Sequence, residues 1–322
     1  MPSKASKPLV RVHPETGVTA TVRIGDCREQ LPKFDEVKNA GVDLVFADPP
    51  FNWARDYDRN RAGDAWDDKA LTRDQYLGFT REWLELCAGA LKPAGTMWVN
   101  IPDDSAAEIV VHLKSIGMHM VNWCVWHYRF GQNTRERFIN SKVHALYFSK
   151  HPHRRTWNPE PVLETSDRRA IYGDARTESK KDGMPAGMRV PMDVWYGPYW
   201  GRIQGNNKER RAKHDNQLPE TYLHRVIAST SNPGDTVLDP FLGSGTTGVI
   251  AHAMGREFIG TEFSRANAEM AFERIAAGPV RDLSAIGGES TAIHSQRVTP
   301  KVPLAKKPPK RKPRAGTKPA SA

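Results

Sequence analysis

The chain has 322 residues, a formal net charge of +10 and only three cysteines. Its length allows one large α/β domain with an insertion, or two small domains. Cys27, Cys87 and Cys124 show neither metal-ligand spacing nor an obvious pairing, which favours a reducing compartment over a disulfide-stapled secreted class. No apolar run reaches the length of a membrane helix, and the polar N-terminus lacks a signal-peptide core. We therefore expect a cytoplasmic protein without membrane contact.

The positive charge is concentrated at the C-terminal end. From Arg297 onward there are nine Lys or Arg and no acid, which leaves +1 for the rest of the chain. Because such a stretch cannot bury a core, residues 278–322 are predicted to form a disordered basic tail. The tail would either add sequence-independent affinity for nucleic acid or only keep the chain soluble. Residues 1–17 are polar, contain three prolines and are predicted to form a flexible arm.

Two predicted strands open the chain. Residues 19–24 alternate in polarity and end at Gly25-Asp26, where Asp26 would cap the next helix. The apolar run 42–47 is typical of a buried strand, and Asp48-Pro49-Pro50-Phe51 closes it. Proline fixes its own φ and donates no ladder hydrogen bond, so the backbone beyond this strand is stiff. The pattern places an acid and an aromatic at the carboxyl edge of a sheet, where α/β folds bind ligands.

The tetrapeptide Asp48-Pro49-Pro50-Phe51 suits a planar amine. A carboxylate and a neighbouring carbonyl accept from two N–H groups, while Phe51 offers a stacking face for a heterocycle. The alternative is an acidic loop that only ends a core strand. Residues 52–68 are charged and show no clear period, so we interpret them as a mobile loop over this site or as an ordinary surface loop.

The elements that follow continue an α/β pattern. Residues 71–91 have the apolar spacing of a helix, which Lys92-Pro93-Ala94-Gly95 would end. A strand is predicted over 96–101, a helix from 102 to about 116, and two further strands over 118–130 and 143–148.

Residues 151–213 change in character, with 13 Lys or Arg against 8 Asp or Glu. Basic residues neutralise phosphates and aromatic residues stack on bases or wedge into a duplex, so this segment is a candidate for target recognition. The alternative is a charged surface insertion without a partner. The basic pairs are Arg154-Arg155, Arg168-Arg169, Lys180-Lys181 and Arg210-Arg211, and the aromatic residues are Trp157, Tyr172, Trp195, Tyr196, Tyr199 and Trp200.

The run 237–247, Val-Leu-Asp-Pro-Phe-Leu-Gly-Ser-Gly-Thr-Thr, predicts a strand, a tight glycine turn and the start of a helix. It fails as a phosphate loop because no Lys follows the glycines, and it lacks the third glycine of a dinucleotide fingerprint. Glu262 ends the next apolar run, where an acid would take ribose hydroxyls. The alternative for the turn taken alone is a structural link between strand and helix.

Together, the tetrapeptide and the glycine turn resemble the S-adenosylmethionine-dependent amino-methyltransferases of DNA. In that family a D-P-P-[YF] tetrapeptide is catalytic and an F-x-G-x-G loop binds the cofactor, and the order found here resembles the β group. The resemblance covers roughly residues 18–276. It implies a catalytic role for Asp48, Pro49, Pro50 and Phe51. It implies cofactor binding by Asp26, His214, Leu218, Asp239, Phe241, Gly243, Ser244, Gly245, Thr246 and Glu262.

The resemblance also implies a fold and a division of the chain. We expect an α/β, Rossmann-like methyltransferase fold with a seven-stranded, mostly parallel sheet. Residues 18–150 would form the catalytic half, 151–213 the target-recognition insertion, and 214–277 the cofactor-binding half.

The implied reaction is site-specific methyl transfer to the N6 amine of an adenine flipped out of double-stranded DNA. Adenine is favoured because cytosine-directed relatives more often carry Ser in place of Asp48. The alternatives are an N4-cytosine enzyme, an RNA or protein-glutamine amino-methyltransferase, and a catalytically silent DNA-binding protein. We expect no metal. A homodimer and a partner restriction endonuclease both stay open.

Overall fold

The computed structural model describes residues 7–53, 71–128, 131, 133–177, 183–197, 199–203, 207–210 and 216–286. The strands are β1 Leu9–Val12, β2 Thr19–Ile24, β3 Val42–Ala47, β4 Leu91–Ile101, β5 His119–His127, β6 Lys142–Ser149, β7 Glu164–Thr165, β8 Met188–Arg189, β9 Val194–Trp195, β10 Thr236–Asp239 and β11 Glu257–Glu262. The helices are α1 Cys27–Gln30, α2 Asp35–Lys38, α3 Arg73–Ala90, α4 Asp103–Ser115, α5 Asp167–Tyr172, α6 Glu220–Thr230, α7 Thr246–Ala253 and α8 Arg265–Ala277.

One mixed sheet organises the described part of the chain. Its order is β1-β2-β11-β10-β3-β4-β6-β5-β9, and the short hairpin β7-β8 stands apart from it. The neighbours β2, β11, β10, β3 and β4 are all parallel, whereas β6 runs antiparallel to both β4 and β5. Seven of these strands were predicted from the sequence, namely β2, β11, β10, β3, β4, β6 and β5. The mostly parallel α/β fold is confirmed.

Helices cover both faces of the sheet, because the inner strands are apolar on both sides. Leu44 and Phe46 of β3 pack into a core that α6, α7 and α8 complete. Val45 and Ala47 of the same strand face a second core that α3 and α4 complete. A strand buried on both faces needs a continuous apolar run, which explains the composition of residues 42–47.

The edges of the sheet differ from the prediction. Leu9–Val12, expected within a flexible arm, form β1 and pair antiparallel with β2. β4 begins at Leu91, five residues before the predicted strand, and a register shift beside Val42 accommodates the longer strand. Val194–Trp195, expected in the recognition insertion, form β9 on the outer edge of β5. Local composition did not reveal β1 and β9, because each of these short edge strands forms only by pairing with a longer neighbour.

The start of the predicted tail also departs from expectation. Leu283–Ala285 form a 3-10 turn. The backbone N–H groups of Val280 and Arg281 both donate to the buried carboxylate of Glu220, at 3.0 and 2.9 Å. Residues 278–286 are therefore held against the start of α6, while 287–322 lie outside the described residues.

Candidate active site

Acidic side chains follow four neighbouring parallel strands at one edge of the sheet. Asp26 lies just beyond β2, Glu262 ends β11, Asp239 ends β10, and Asp48 lies just beyond β3. Because all four strands run in the same direction, their carboxyl ends meet at the same edge. Three strand spacings of about 4.8 Å separate the two outer strands, so the acids extend over roughly 14 Å. We call this row of strand ends the catalytic edge.

Asn100 and Tyr222 hold the Asp48 carboxylate. Asn100 lies on β4 next to the end of β3, and its Nδ2 donates to Asp48 Oδ1 at 2.7 Å. Tyr222 Oη in turn donates to Asn100 Oδ1 at 3.2 Å. Both supporting side chains are fully buried, with 1% and 0% exposure. The chain of hydrogen bonds leaves one orientation for the amide and engages one oxygen of Asp48.

Two carboxyl groups at this edge have strongly raised pKa values. Burial raises the pKa of Asp48 to about 7, although the Asn100 amide and the charge of Arg202 oppose the shift. Burial likewise raises the pKa of Asp239 to about 7, opposed by hydrogen bonds from Thr247 and the Phe241 N–H and reinforced by the charge of Asp48. Such shifts are common where a carboxyl group works on a ligand.

The tetrapeptide is fixed from two sides. Tyr76 Oη of α3 donates to the carbonyl of Pro50 at 2.8 Å. The Phe51 ring is half-buried and makes an edge contact with the ring of Trp53, with centroids 5.2 Å apart. Trp53 Nε1 donates to Asp104 Oδ2 at the start of α4, at 2.8 Å. The start of the loop after β3 is therefore anchored to α3 and α4, a support that the sequence did not predict.

The glycine turn between β10 and α7 needs both of its glycines. Gly243 has φ +51° and Gly245 has φ +82°, a region that side chains with a Cβ rarely occupy. A Cβ on Gly245 would lie 2.8 Å from Ala271 Cβ of α8, so this glycine also permits close helix packing. Gly243 N donates to Glu262 Oε2 at 2.8 Å, which joins the turn to the end of β11.

The other predicted cofactor residues surround this turn. Asp239 Oδ1 accepts from Phe241 N at 2.9 Å, and the Phe241 ring packs edge-on against Trp83 of α3, with centroids 5.1 Å apart. Thr246 Oγ1 donates to the carbonyl of Leu218 at 3.2 Å. The carbonyl of the buried Ser244 accepts from Arg274. His214 lies outside the described residues.

Asp26 has the structural role expected of a cap. Its Oδ1 accepts from Arg28 N at 2.9 Å at the start of α1, and its Oδ2 pairs with the Arg28 guanidinium at 2.7 Å. Burial opposes ionisation, but the hydrogen bonds and charge of Arg28 outweigh it and lower the pKa of Asp26. The position of Asp26 on the catalytic edge also suits the predicted contact with the cofactor, which stays a prediction.

A family model for the N6/N4 DNA methylases matches residues 42–273. That span holds both the tetrapeptide and the glycine turn. The chain belongs to the N6/N4 DNA methylase family.

Two curated relatives of this DNA methylase are type II methyltransferases. The chain is 29% identical over 250 residues to M.HpaI of Haemophilus parainfluenzae, covering 77% of this chain and 73% of that protein. It is 31% identical over 258 residues to M.BamHI of Bacillus amyloliquefaciens, covering 78% of this chain and 56% of that protein. The match therefore spans only a little over half of M.BamHI.

Solved structures show the same fold. The M1.HpyAVI–SAM complex superimposes with a TM-score of 0.53 at 21% identity, covering 79% of this chain and 98% of the other. The cytosine-N4-specific PvuII DNA methyltransferase gives a TM-score of 0.55 at 16% identity, covering 83% and 89%. Identities this low support the fold alone.

Sequence reasoning missed Asn100, Tyr222 and Trp53 as parts of the site. A single amide inside the apolar run of β4 was the available indication, because a buried polar side chain needs a partner. The partner could not be read from the sequence, since it depends on the pairing of β3 with β4 and on the position of α6.

The recognition insertion is only partly as predicted. Trp195 and Trp200 are 5% and 4% exposed and pack around Tyr222, so they cannot stack on DNA bases. Tyr172 and Tyr199 are exposed, at 77% and 53%. Arg189 is used internally, in ion pairs of 3.0 Å with both Glu164 and Asp167.

Two further findings bear on the remaining expectations. Among the described residues, no group of three His, Cys, Asp or Glu side chains is placed to hold a metal ion. Within the same residues, no helix is long and apolar enough to cross a membrane.

Proposed function

We propose that this DNA methylase transfers a methyl group from S-adenosylmethionine to the N6 amine of an adenine flipped out of double-stranded DNA. One observation carries the proposal: the Asp48 carboxylate is held at the catalytic edge beside the glycine turn, with one oxygen engaged by Asn100. The curated relatives come from bacteria, so we place the reaction on bacterial DNA in the cytoplasm.

The cofactor is S-adenosylmethionine, and the residues present fit it. Asp26 and Glu262 offer acceptors for hydroxyl and amine groups at one end of the edge, as nucleoside sites require. Gly243 and Gly245 give the turn a backbone surface without Cβ atoms. Asp48 and Asp239, whose pKa values are both raised to about 7, would be stabilised as carboxylates by a positively charged occupant. When bound, S-adenosylmethionine supplies an electrophilic methyl group on a cationic sulfur.

The tetrapeptide orients the target amine. Asp48 accepts one amine N–H and the carbonyl of Pro49 accepts the other, which directs the nitrogen lone pair out of the base plane. Phe51 stacks on the extruded base, and Trp53 supports the Phe51 ring from its edge. Because a base inside a duplex cannot present its amine to this acceptor pair, the nucleotide must leave the stack. Asp48 stabilises the positive charge that develops on the amine as the nitrogen–methyl bond forms, and the methylated amine then loses one proton to become neutral.

Adenine is preferred over cytosine because the tetrapeptide begins with Asp. The fold does not exclude cytosine, since a cytosine-N4-specific enzyme superimposes on the chain with a TM-score of 0.55. Asp48, Pro49 and the aromatic ring would accept either amine. Methylation of N4 of cytosine is therefore the second candidate, and the identity of the methylated base decides between them.

The direct test is transfer of a tritiated methyl group to DNA, RNA and protein in parallel, followed by digestion and chromatography of the nucleosides. We expect label in DNA only, as N6-methyladenine. Label in N4-methylcytosine would establish the second candidate, and label in RNA or protein would overturn the proposal.

The catalytic residue is tested by Asp48→Ala. Because the substitution removes the acceptor that orients the amine, turnover should fall by several powers of ten, whereas cofactor affinity should fall by less than about tenfold, since Asp48 contributes only part of the negative charge near the sulfur. Calorimetry and the transfer assay measure the two quantities. Asp74→Ala, which removes an exposed carboxylate of α3, is the matched control. Near-normal turnover of Asp48→Ala would contradict the assignment.

A further inference from the structure

The loop between β5 and β6 lies on the catalytic edge. Asn100 of β4 pairs with Ala145 of β6, and Lys142 at the start of β6 pairs with His127 at the end of β5. Since β6 runs antiparallel to both neighbours, the connection over residues 128–141 leaves the sheet at the edge where Asp48 lies. β6 and β5 are two and three strand spacings from β3, or about 10 and 14 Å.

The described part of this loop is cationic and carries an exposed aromatic ring. Arg135 and Arg137 are exposed and flank a single acid, Glu136. Phe138 is 97% exposed and Ile139 is 45% exposed. A phenylalanine with almost its whole side chain in water gains nothing from folding, because burial is the source of its stabilising free energy. The Phe138 ring can therefore be covered by a partner without any loss to the stability of the fold.

The base of the loop is held in place. Tyr128 N donates to the carbonyl of Ser141 at 3.0 Å. A Cβ on Gly131 would collide with the Ile139 side chain and the Asn140 carbonyl, so the two arms of the loop are in close contact. His144 Nε2 lies 2.5 Å from Asp103 Oδ1, which ties β6 to the start of α4. The exposed ring is thus carried on an anchored segment.

Arg202 connects the loop with the catalytic carboxylate. Its guanidinium lies over the Tyr128 ring at 4.2 Å from the centroid. Its charge also favours the ionised form of Asp48. A positively charged side chain therefore lies against the base of the loop, and its charge acts on the carboxylate that we propose binds the target amine.

We propose that the loop of residues 133–139 binds duplex DNA beside the flipped nucleotide, with Arg135 and Arg137 on phosphates and the Phe138 ring inserted into the base stack that the nucleotide leaves. This proposal rests on the proposed function and adds a contact surface to it. Apolar side chains inserted between base steps are a common means of opening a duplex. The flanking arginines favour DNA as the partner, because a second copy of this positively charged chain would repel them.

The first arm of the test measures the phosphate contacts. Binding of the full chain to a fluorescein-labelled 30-base-pair duplex that contains the methylated site, found by sequencing modified bases after expression, is followed against salt concentration. The double variant Arg135→Ala/Arg137→Ala should make the negative slope of log affinity against log salt shallower by about 1.8, since each phosphate contact contributes about 0.9. The control is Lys38→Ala/Lys114→Ala, which removes two exposed cations at the opposite edge of the sheet and should leave the slope unchanged.

The second arm measures insertion of the ring. Phe138→Ala should leave the salt slope unchanged and slow methylation of the fully paired duplex at least tenfold. On a duplex whose target base faces an abasic position, the loss should shrink to less than threefold, because the base is already unpaired. Phe138→Leu should restore most of the rate on paired DNA. Val111→Ala, at a position that is 68% exposed on α4, is the control.

The possible outcomes distinguish failure of the proposed loop contact from failure of the proposed function. If the parent protein methylates its site and the loop variants behave like their controls, the loop does not contact DNA and the proposal is wrong. A Phe138→Ala defect of equal size on paired and abasic duplexes would also overturn it, because the ring would not be acting on the stack. Failure of the parent to methylate DNA would overturn the proposed function instead.

Discussion

At the scale of single residues, Asn100 decides how Asp48 presents its carboxylate. An amide donates to one carboxylate oxygen without adding charge, and Tyr222 prevents the amide from turning over. Because the two oxygens of a carboxylate are rigidly linked, holding the first oxygen also fixes the position of the second oxygen of Asp48. A carboxylate in place of the amide would force two acids to share a site.

Asn100→Asp is therefore expected to move the pH dependence of the reaction. Two carboxyl groups at hydrogen-bond distance share a proton, so the apparent pKa in kcat/KM should rise by about 1 unit or more from that of the parent. The rate at acidic pH should fall accordingly, since the amine needs an ionised acceptor. Profiles of kcat/KM from pH 5.5 to 9 measure the shift.

Tyr222→Phe is the matched control for this prediction, because it removes the hydroxyl that orients Asn100 and adds no charge. Its kcat should fall while its apparent pKa stays within about 0.3 units of the parent value. An unchanged profile in Asn100→Asp would show that Asn100 does not act on the catalytic carboxylate.

At the scale of elements, the turn between β10 and α7 combines a backbone requirement with a binding surface. Gly243→Val would place a β-branched residue at φ +51°, in the turn that we propose binds the cofactor. Affinity for S-adenosylmethionine should fall at least a hundredfold, and added cofactor should no longer raise the Tm. Calorimetry and thermal melts check this. Gly255→Val, at φ +74° away from the turn, is the control for strain alone.

We expect the two buried carboxyl groups to make cofactor binding depend on pH. Below about pH 7, Asp48 and Asp239 are largely protonated and offer little charge to a cationic sulfur. Affinity for S-adenosylmethionine should therefore rise about tenfold from pH 6 to pH 8, with release of protons on binding. Calorimetry in buffers of different ionisation enthalpy measures the protons. S-adenosylhomocysteine, whose sulfur is neutral, should show little of this dependence, and an equal dependence for both ligands would contradict the explanation.

The sequence predicted those elements that carry their own local pattern and missed those that depend on a partner strand. β3, β10, β11, α3 and α7 have self-contained apolar patterns and turn residues, and each lies within a few residues of its prediction. β1 and β9 have no such pattern, because they exist only as additions to β2 and β5. The same limit applies to the site. Asp48 and the glycine turn are sequence motifs, whereas the Asn100–Tyr222 support arises from strand order and helix position.

At the scale of the whole molecule, part of the positive charge lies away from the catalytic edge. Arg154 and Arg155 follow β6 at the edge opposite Asp48, so part of the predicted recognition insertion faces away from the site. Asn207 accepts from Glu209 N at 2.9 Å and serves a local turn. Arg168 and Tyr172 remain as exposed members of the insertion. Recognition by the insertion stays a prediction that these two side chains can test.

The C-terminal stretch and the insertion are expected to differ in how they bind DNA, the first through phosphates alone and the second through the base sequence. The stretch from Arg297 has nine Lys or Arg and no acid, so it can contact phosphates but has little to read base edges with. Deleting residues 297–322 should weaken binding to all duplexes alike and flatten its salt dependence, without changing the methylated sequence. Arg168→Ala and Tyr172→Ala should instead alter the ratio of methylation at cognate and mismatched sites. Salt titrations and a panel of single-mismatch duplexes measure the two effects. A truncation that changed the methylated sequence, together with insertion variants that left discrimination intact, would place recognition outside residues 151–213.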